Sequence, residues 1–579
     1  MDAMSSFSDE SWSFKDLAQS QRLRGYEVRS PEVHPILKHS FEEPEAYIQA
    51  LHQHFQDAGY HSQTVINERY ALYWDLVEAK LGHRTPVLSV YQEDLDWQHF
   101  SYDIFHRRVS DLAIRWTDAG IVPGTTITLM TPLGYEFLLG LMTGLKLGAT
   151  MSWVSPIGPT YRRNRIERLE SEFIAAHPKY HQELDASLLD FERSATTQNR
   201  SAPATHHYEP DAVVLKLLSP LAPVRDTPVE LSASDLYHRL LNDVLVVLEL
   251  NAADRVSAPG LDAHQIQPWL GLATMLAGGT YLHIRAETLH TTPQAWTGYR
   301  PTILGLDDQS RKLMVTHQSD LASSLRLWFR DIAEPLDWQG WQNFQEGFGD
   351  ASPWGMNLLV NGAFGGTVFF SPKSNRVPPI NVIPAPGIPW SLLDQTGPGE
   401  TRRRSTGLYA APDTNLTPDH HGTILLSHPK PHELYFIASR DGVSGARTYP
   451  VEEVQSLVET LPSVSKCLVL QLDRLIDVDD VPVNLLIFLN RSLRPHFTAK
   501  EQQEIKSRIR DLIRFELGAS FLPSELTLSH CYPELSDGAL DVSWTQSQHY
   551  RGFLEIKEEL SIFSTLSALR TLVDESKDQ

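Results

Sequence analysis

Residues 101–154 read SYDIFHRRVSDLAIRWTDAGIVPGTTITLMTPLGYEFLLGLMTGLKLGATMSWV. Apolar residues recur at helical spacing through Ile104, Val109, Leu112, Ala113 and Trp116, which predicts a helix over Ser101–Ala119. Gly120 stops that helix and Pro123-Gly124 turns the chain. Thr126–Met130 is a short β run, Glu136–Leu147 a second helix closed by Gly148, and Met151–Val154 a second strand. Helix, strand, helix, strand in this order predicts a parallel sheet with crossover helices.

The same alternation continues outward. Ala212–Leu218 reads as a strand and Ser232–Leu250 as a helix that Ser232 or Ser234 caps. Leu270–Leu276 is helical, Tyr281–Ile284 and Leu325–Phe329 are strands, and Asp337–Phe348 is a helix. Residues 372–433 hold many prolines, glycines and short β runs, which predicts a smaller β-rich subdomain. Glu433–Ile437 is a strand, and Arg440–Gly442 breaks the chain after it. Beyond the break the pattern is α+β: helix Pro450–Leu461, strands Lys466–Leu470 and Asn484–Leu489, helix Ala499–Glu516 and strand Glu525–Ser529. That is a separate domain. Upstream, Glu43–Gln56 is helical within a polar extension expected to pack on the main body, and Tyr550–Asp574 reads as an amphipathic tail helix. The fold class is therefore α/β, with a large body of two sheet-containing subdomains plus a β-rich subdomain, and a small α+β C-terminal domain.

Composition narrows the function classes. The chain has 579 residues, 41% hydrophobic and 21% charged, enough for more than one core. A net charge of −22 argues against a nucleic-acid surface and against attraction to anionic lipid. No apolar run is long enough to span a bilayer, and Met1–Trp12 carries no cationic-then-apolar signal, so a cytoplasmic protein is expected. The only two cysteines, Cys467 and Cys531, exclude a disulfide framework and read as buried thiols. The adjacent pairs His206-His207 and His420-His421 have no metal-ligand spacing and read as loop residues.

Residues 101–149 strongly resemble the N-terminal block of the adenylate-forming (ANL) superfamily, the acyl- and aryl-CoA synthetases among them. Two later segments resemble further family blocks in the same order: DRVSAPGLDAHQIQPWLGLATMLAGGTYLHI (254–284) and ELYFIASRDGVSGARTYPVEEVQ (433–455). The resemblance spans roughly residues 65–546. It implies an N-terminal extension (1–64), a large adenylation-like domain (65–439), a small mobile domain (440–546) and a helical tail (547–579). It also implies acyl-adenylate formation followed by acyl transfer to a thiol of CoA or a carrier protein.

The residues for the first of those steps are missing. ATP activation needs glycine N–H groups and a lysine around the phosphates, an acid for Mg²⁺, a carboxylate on the ribose and a lysine on the developing charge. The family's phosphate loop, T-S-G-T-T-G-x-P-K-G, corresponds to SPLAPVRDTP, Ser219 to Pro228, with no glycine and three prolines. Proline removes N–H donors, and Leu221 and Val224 resist a glycine-like backbone. Ser219 and Thr227 are degenerate positions too, Thr227 standing where the family has its lysine; Asp226 repels phosphate and Arg225 is the one cation. The family's Y-G-x-T-E matches Phe364-Gly365-Gly366-Thr367-Val368, so the metal-ligating acid is Val368. Its ribose-gripping T-G-D falls on Thr423-Ile424-Leu425, and its catalytic lysine on Ala539. No ATP and no Mg²⁺ are expected.

Other family positions survive. Ser439-Arg440-Asp441-Gly442 matches the hinge, and Gly442 and Gly445 fall in the loop that lines the pantetheine tunnel. Their competing reading is a plain interdomain turn. His264 matches a histidine near the acyl/thiol channel, a general base or a structural imidazole. Phe364, Gly365, Gly366 and Thr367 offer a flat wall for an acyl group or merely a tight turn. Two basic clusters, Arg162, Arg163, Arg165, Arg168 and Arg402–Arg404, either meet a carrier protein or CoA phosphates or form solvated faces, the reading that local pattern favours. Two functions stay open. One is an ATP-independent handler of acyl thioesters, with acyl-CoA, coenzyme A or a pantetheinylated acyl carrier protein as partners. The other is a non-catalytic scaffold or regulatory partner of a pathway enzyme.

Overall fold

The computed structural model describes residues 40, 43–63, 69–92, 96–177, 187–189, 191, 201–218, 228–261, 264, 266–332, 334, 337–361, 365–376, 382–387, 391–394, 405–410, 424–430, 433–439, 450–471, 483–490, 498–529, 535–536 and 539–540. It divides into two compact units, the first formed by Met1–Pro156, Arg165–Pro220 and Asp226–Ala446, the second by Ile157–Asn164, Leu221–Arg225 and Arg447–Gln579.

The first unit begins with helix α1 (Pro44–Asp57), the short helix α2 (Leu72–Leu76) and the hairpin β1 (Pro86–Gln92) and β2 (Asp96–Ser101). Next come α3 (Tyr102–Asp118), β3 (Thr126–Met130), α4 (Tyr135–Leu147), β4 (Thr150–Trp153), α5 (Pro159–Leu169, which straddles the two units), β5 (Phe173–Ala176), β6 (Ser187–Leu189), β7 (Val213–Leu217) and β8 (Val229–Ser232). The chain continues through α6 (Ala233–Asn242), β9 (Arg255–Ser257), α7 (Gln267–Leu276), β10 (Thr280–His283), β11 (Ile303–Gly305), α8 (Asp308–Met314), β12 (Leu327–Asp331), α9 (Trp338–Glu346), β13 (Trp354–Asn361), β14 (Gly366–Phe370) and β15 (Ile383–Pro384). Strands β16 (Ser391–Asp394), β17 (Ser405–Ala410), β18 (Ile424–Lys430) and β19 (Glu433–Ser439) close the unit as an antiparallel sheet, the β-rich part expected from the sequence.

Two larger sheets carry the body. One has the order β6-β5-β3-β4-β7-β8, parallel except for β8. The other has the order β15-β14-β13-β12-β11-β9-β10-β1-β2, parallel from β13 to β1 with antiparallel strands at both edges. Both are built from the crossover units the sequence predicts. Helix α3 starts where the Ser101 hydroxyl accepts the Ile104 N–H at 3.2 Å. It buries Phe105, Val109, Leu112, Ala113 and Trp116, while Ile104 is 38% exposed; Phe105 takes the inward position instead. Helix α4 is buried on all sides from Phe137 to Leu147, which suits its nearly unbroken apolar sequence. One core joins both sheets through Leu138 of α4, Leu236 of α6 and Leu272 of α7.

The second unit carries helices α10 (Val451–Val458) and α11 (Ala499–Glu516) with a three-stranded sheet, β20 (Val464–Gln471), β21 (Val483–Leu489) and β22 (Glu525–Ser529). A two-stranded pair, β23 (Leu535–Ser536) and β24 (Ala539–Leu540), follows. Thr498 and Glu501 form a reciprocal capping box at the start of α11. Cys467 is buried on β20, as expected. Tyr550–Asp574 and Cys531 lie outside the described residues. Among the described residues no helix is long and apolar enough to cross a membrane.

Candidate functional site

Parallel sheets with crossover helices bind ligands beyond the carboxyl ends of their strands. In the first unit those ends are the turn Thr131–Gly134 after β3, Ala258–Leu261 after β9, His283 on β10, Asp307 after β11, and Asp331 to Glu334 after β12.

His264 lies in this region. Its backbone carbonyl accepts the Trp153 indole N–H at 2.8 Å, and its ring stands edge-on to Phe137 of α4, centroids 6.3 Å apart. Trp153 in turn meets Phe137 and Trp269 edge-on, so the segment carrying His264 is tied to an aromatic cluster. A second histidine was not singled out from the sequence. His283 closes β10, is 7% exposed, and packs on the backbone of Gly134, where an added Cβ would lie 3.4 Å from its Nε2. Its Nδ1 has no hydrogen-bond partner among the described residues. Burial, helped by the nearby Arg285 charge, pulls its pKa down to about 4, so the ring is neutral at pH 7. Its position at the last residue of a strand, in TYLH, was the available signal.

The glycine pair has a definite use. Gly365 and Gly366 have φ of +76° and +145°, which only glycine adopts without strain. A Cβ on Gly365 would lie 2.5 Å from Leu231 Cδ1 and 3.2 Å from Arg239 Nη1; one on Gly366 would lie 3.2 Å from Asp243 Oδ2. On that side, then, the wall is packed by α6 and its continuation. Asp243 opens a π-helical turn, Asp243–Val247, where the sequence predicted ordinary helix. It accepts hydrogen bonds from the Thr367 hydroxyl and N–H. Burial pushes the Asp243 carboxyl up to about 7, against the pull of those bonds and of Arg239. Val368, in the middle of β14, is 1% exposed and offers no oxygen.

Beyond β11 and β12 lies a network of charges. The Asp308 N–H donates to Glu334 Oε1 at 2.7 Å, and Arg330 donates to the Glu334 carbonyl and to Asn357 Oδ1. Arg311 pairs with Asp308 and, at 2.6 Å, with Asp337, the N-cap of α9. Burial pushes the Glu334 carboxyl up to about 8, although Arg330 and the Asp308 N–H favour its ionised form. These groups pin the two loops to one another. Among the described residues no group of His, Cys, Asp and Glu could hold a metal ion.

Several predicted positions fall elsewhere. Leu425 lies on β18, paired with Ala438 and Leu408, and Ala539 faces Ser536 in the β23–β24 pair. Arg162 and Arg165 on α5 are 6% and 2% exposed, which corrects the expectation of a solvated face for those two; Arg163 is exposed and Arg168 half-buried. His206 is not a bare loop residue: it packs on Gly148 and edge-on to Tyr208. Ser219, Leu221, Val224, Thr227, Phe364, Arg402–Arg404, His420, His421, Arg440, Asp441, Gly442 and Gly445 lie outside the described residues.

No family model matches the chain, and no curated protein matches it by sequence. Solved structures do match. An o-succinylbenzoate CoA synthetase from Bacillus subtilis, a double mutant bound to a product analogue, superposes with a TM-score of 0.64 at 13% identity, covering 83% of this chain and 98% of that one. An acetoacetyl-CoA synthetase from Streptomyces lividans gives 0.58 at 14% identity over 93% and 94%. An A-PCP protein complexed with phenylalanyl-adenylate gives 0.53 at 13% identity over 88% and 86%. Together with the two sheets and their crossover helices, these similarities give the chain the fold of the adenylate-forming (ANL) enzymes.

Proposed function

We propose that this chain is an adenylation-defective member of the CoA-synthetase-like proteins that binds an acyl-CoA and passes the acyl group to a carrier-protein thiol without ATP. The sequence observation that carries the reading is that apolar side chains, proline or alanine stand at the main nucleotide-handling positions of the resemblance: Leu221, Val224 and three prolines in the phosphate loop, Val368, Leu425 and Ala539. Each lost charge contact would typically cost a few kcal/mol of transition-state stabilisation. Thioester exchange needs none of them, because it is nearly isoenergetic and asks for positioning and a base. The incoming thiol loses its proton as its sulfur adds to the acyl carbon. The old carbon–sulfur bond then breaks, and the departing CoA sulfur takes up a proton. His264 and the neutral His283 border the first turn of α4; His264 is the imidazole offered for the proton transfer, because a ring held near 4 is a weak base toward a thiol at pH 7.

Incubation with a panel of acyl-CoAs and pantetheinylated carrier proteins, read by intact mass, tests this. Acyl transfer without ATP is expected, and calorimetry should find no ATP binding tighter than about 1 mM. One observation favours a second reading, a scaffold or regulator of a pathway enzyme. Leu231, Arg239 and Asp243 already occupy one side of the Gly365–Gly366 wall. No transfer across the panel, with stable co-purification of a pathway enzyme, would select it.

A further inference from the structure

Helix α1 precedes the region that carries the family resemblance, yet it is not a loose appendage. Tyr47, Leu51 and Phe55 are fully buried on its inner face. The Tyr47 hydroxyl donates to Asn242 Oδ1 at 2.5 Å, and the Asn242 side-chain amide donates to the Pro386 carbonyl at 3.1 Å. Just after the helix, Tyr60 stacks on Phe55 and donates to the Leu250 carbonyl at 3.2 Å. The two contact points, Asn242 and Leu250, bracket the π-helical turn whose first residue, Asp243, holds Thr367. A π turn is a wide turn with a weaker bond ladder, so its register depends on what grips its ends.

The same interface carries a histidine pair. His52 of α1 and His238 of α6 lie 5.3 Å apart, ring centre to ring centre. Tyr237 stands edge-on to His52, and the Tyr70 hydroxyl lies 3.3 Å from His238 Nε2. Tyr237 donates to Ser62, which donates to Asp75 of α2, so these groups are engaged with one another beside the pair. Asp235, in the first turn of α6, is the carboxylate that favours a charged His238. Burial outweighs it: His238 is pulled down to about 4, with His52 adding to the fall, and His52 is lowered by its own burial.

We infer that residues 44–60 are a clamp that grips the π turn at both ends, holds Asp243 against the Gly366–Thr367 wall, and releases when His52 and His238 acquire protons. Tyr47, Asn242 and Asp243 are then positioning residues. Two imidazolium rings at that distance repel one another in a half-buried site, and the repulsion acts across the contact between α1 and α6. Loss of that contact would unhook Asn242 from Pro386 and loosen the wall. That this wall faces an acyl group rests on the function proposed above; the clamp itself does not, and its test reads the backbone alone.

Hydrogen exchange of the full chain, corrected for the intrinsic effect of pH, decides it. Between pH 7.5 and 5.0 protection should fall roughly tenfold or more, together, over 44–57, 242–250, 366–370 and 383–387, and not over β3 and β4. The His52→Gln/His238→Gln protein should lose most of that acid response. Asp243 titrates in the same range but is present in both proteins, so the difference isolates the histidines. Should the double variant fold poorly, Tyr47→Phe at pH 7.5 gives the independent reading, with several-fold faster exchange over 242–250 and 366–370. An acid response unchanged in the double variant, or α1 opening with 366–370 unaffected in either experiment, would overturn the inference.

Discussion

At the scale of single residues, the decisive facts are where charge is missing and where it is buried. Val368 sits in a strand buried along its whole length. Restoring an acid there by Val368→Glu would bury an unpaired carboxylate and is expected to destabilise the first unit by about 3–5 kcal/mol without conferring ATP use. Thermal unfolding together with an ATPase assay checks both halves. Glu334 gives a pH prediction. Its folded pKa is raised to about 8 from an ordinary 4.5, so the native state keeps a proton that the unfolded chain releases. The stability it contributes is present below pH 4.5 and is lost as pH rises through 8, a change of up to a few kcal/mol. Glu334→Gln should flatten the fall in unfolding midpoint between pH 5 and pH 8. His264→Gln should slow acyl transfer about 100-fold or more with acyl-CoA binding retained, as single-turnover rates and binding assays would show. None of these environments was legible from the sequence. Glu334 meets Asp308 only after β11 and β12 are aligned in one sheet, and His283 meets Gly134 only after the two large sheets are brought together. The arginines of α5 misled for a similar reason: local pattern records charge but not what covers it.

At the scale of elements, the sequence was most informative where the signals are local. Thr126–Met130, Ala499–Glu516 and Glu525–Ser529 lie where hydrophobic period and capping residues predict them. The Ser232 hydroxyl caps α6 by accepting the Asp235 N–H at 3.1 Å. Ser232→Ala is therefore expected to cost about 1 kcal/mol, measurable as a shift in the unfolding transition. The end of that helix was not legible. A uniform helix was predicted to Leu250, but it gives way to a π turn at Asp243, where a side chain bonds to a strand distant in sequence. Helix α4 shows how tertiary pairing fixes an element. Lys146 reaches Glu78 at 2.9 Å beneath the ring of Tyr73. Lys146→Met would strand the Glu78 charge and cost about 3–5 kcal/mol, whereas Lys146→Met/Glu78→Leu should recover most of it. A double-mutant cycle reads the difference.

At the scale of the whole molecule, the chain has the fold of the adenylate-forming enzymes, and the function proposed for it is one that spends no ATP. Two crossover sheets, a β-rich part and a separate α+β unit were legible because apolar periodicity and glycine punctuation survive where motif residues do not. Isotope exchange between ATP and pyrophosphate, measured over a broad panel of carboxylic acids, reads adenylate formation itself. Exchange no faster than in a protein-free control is predicted for every acid. Acid-dependent exchange above that background, from even one carboxylate, would contradict the claim.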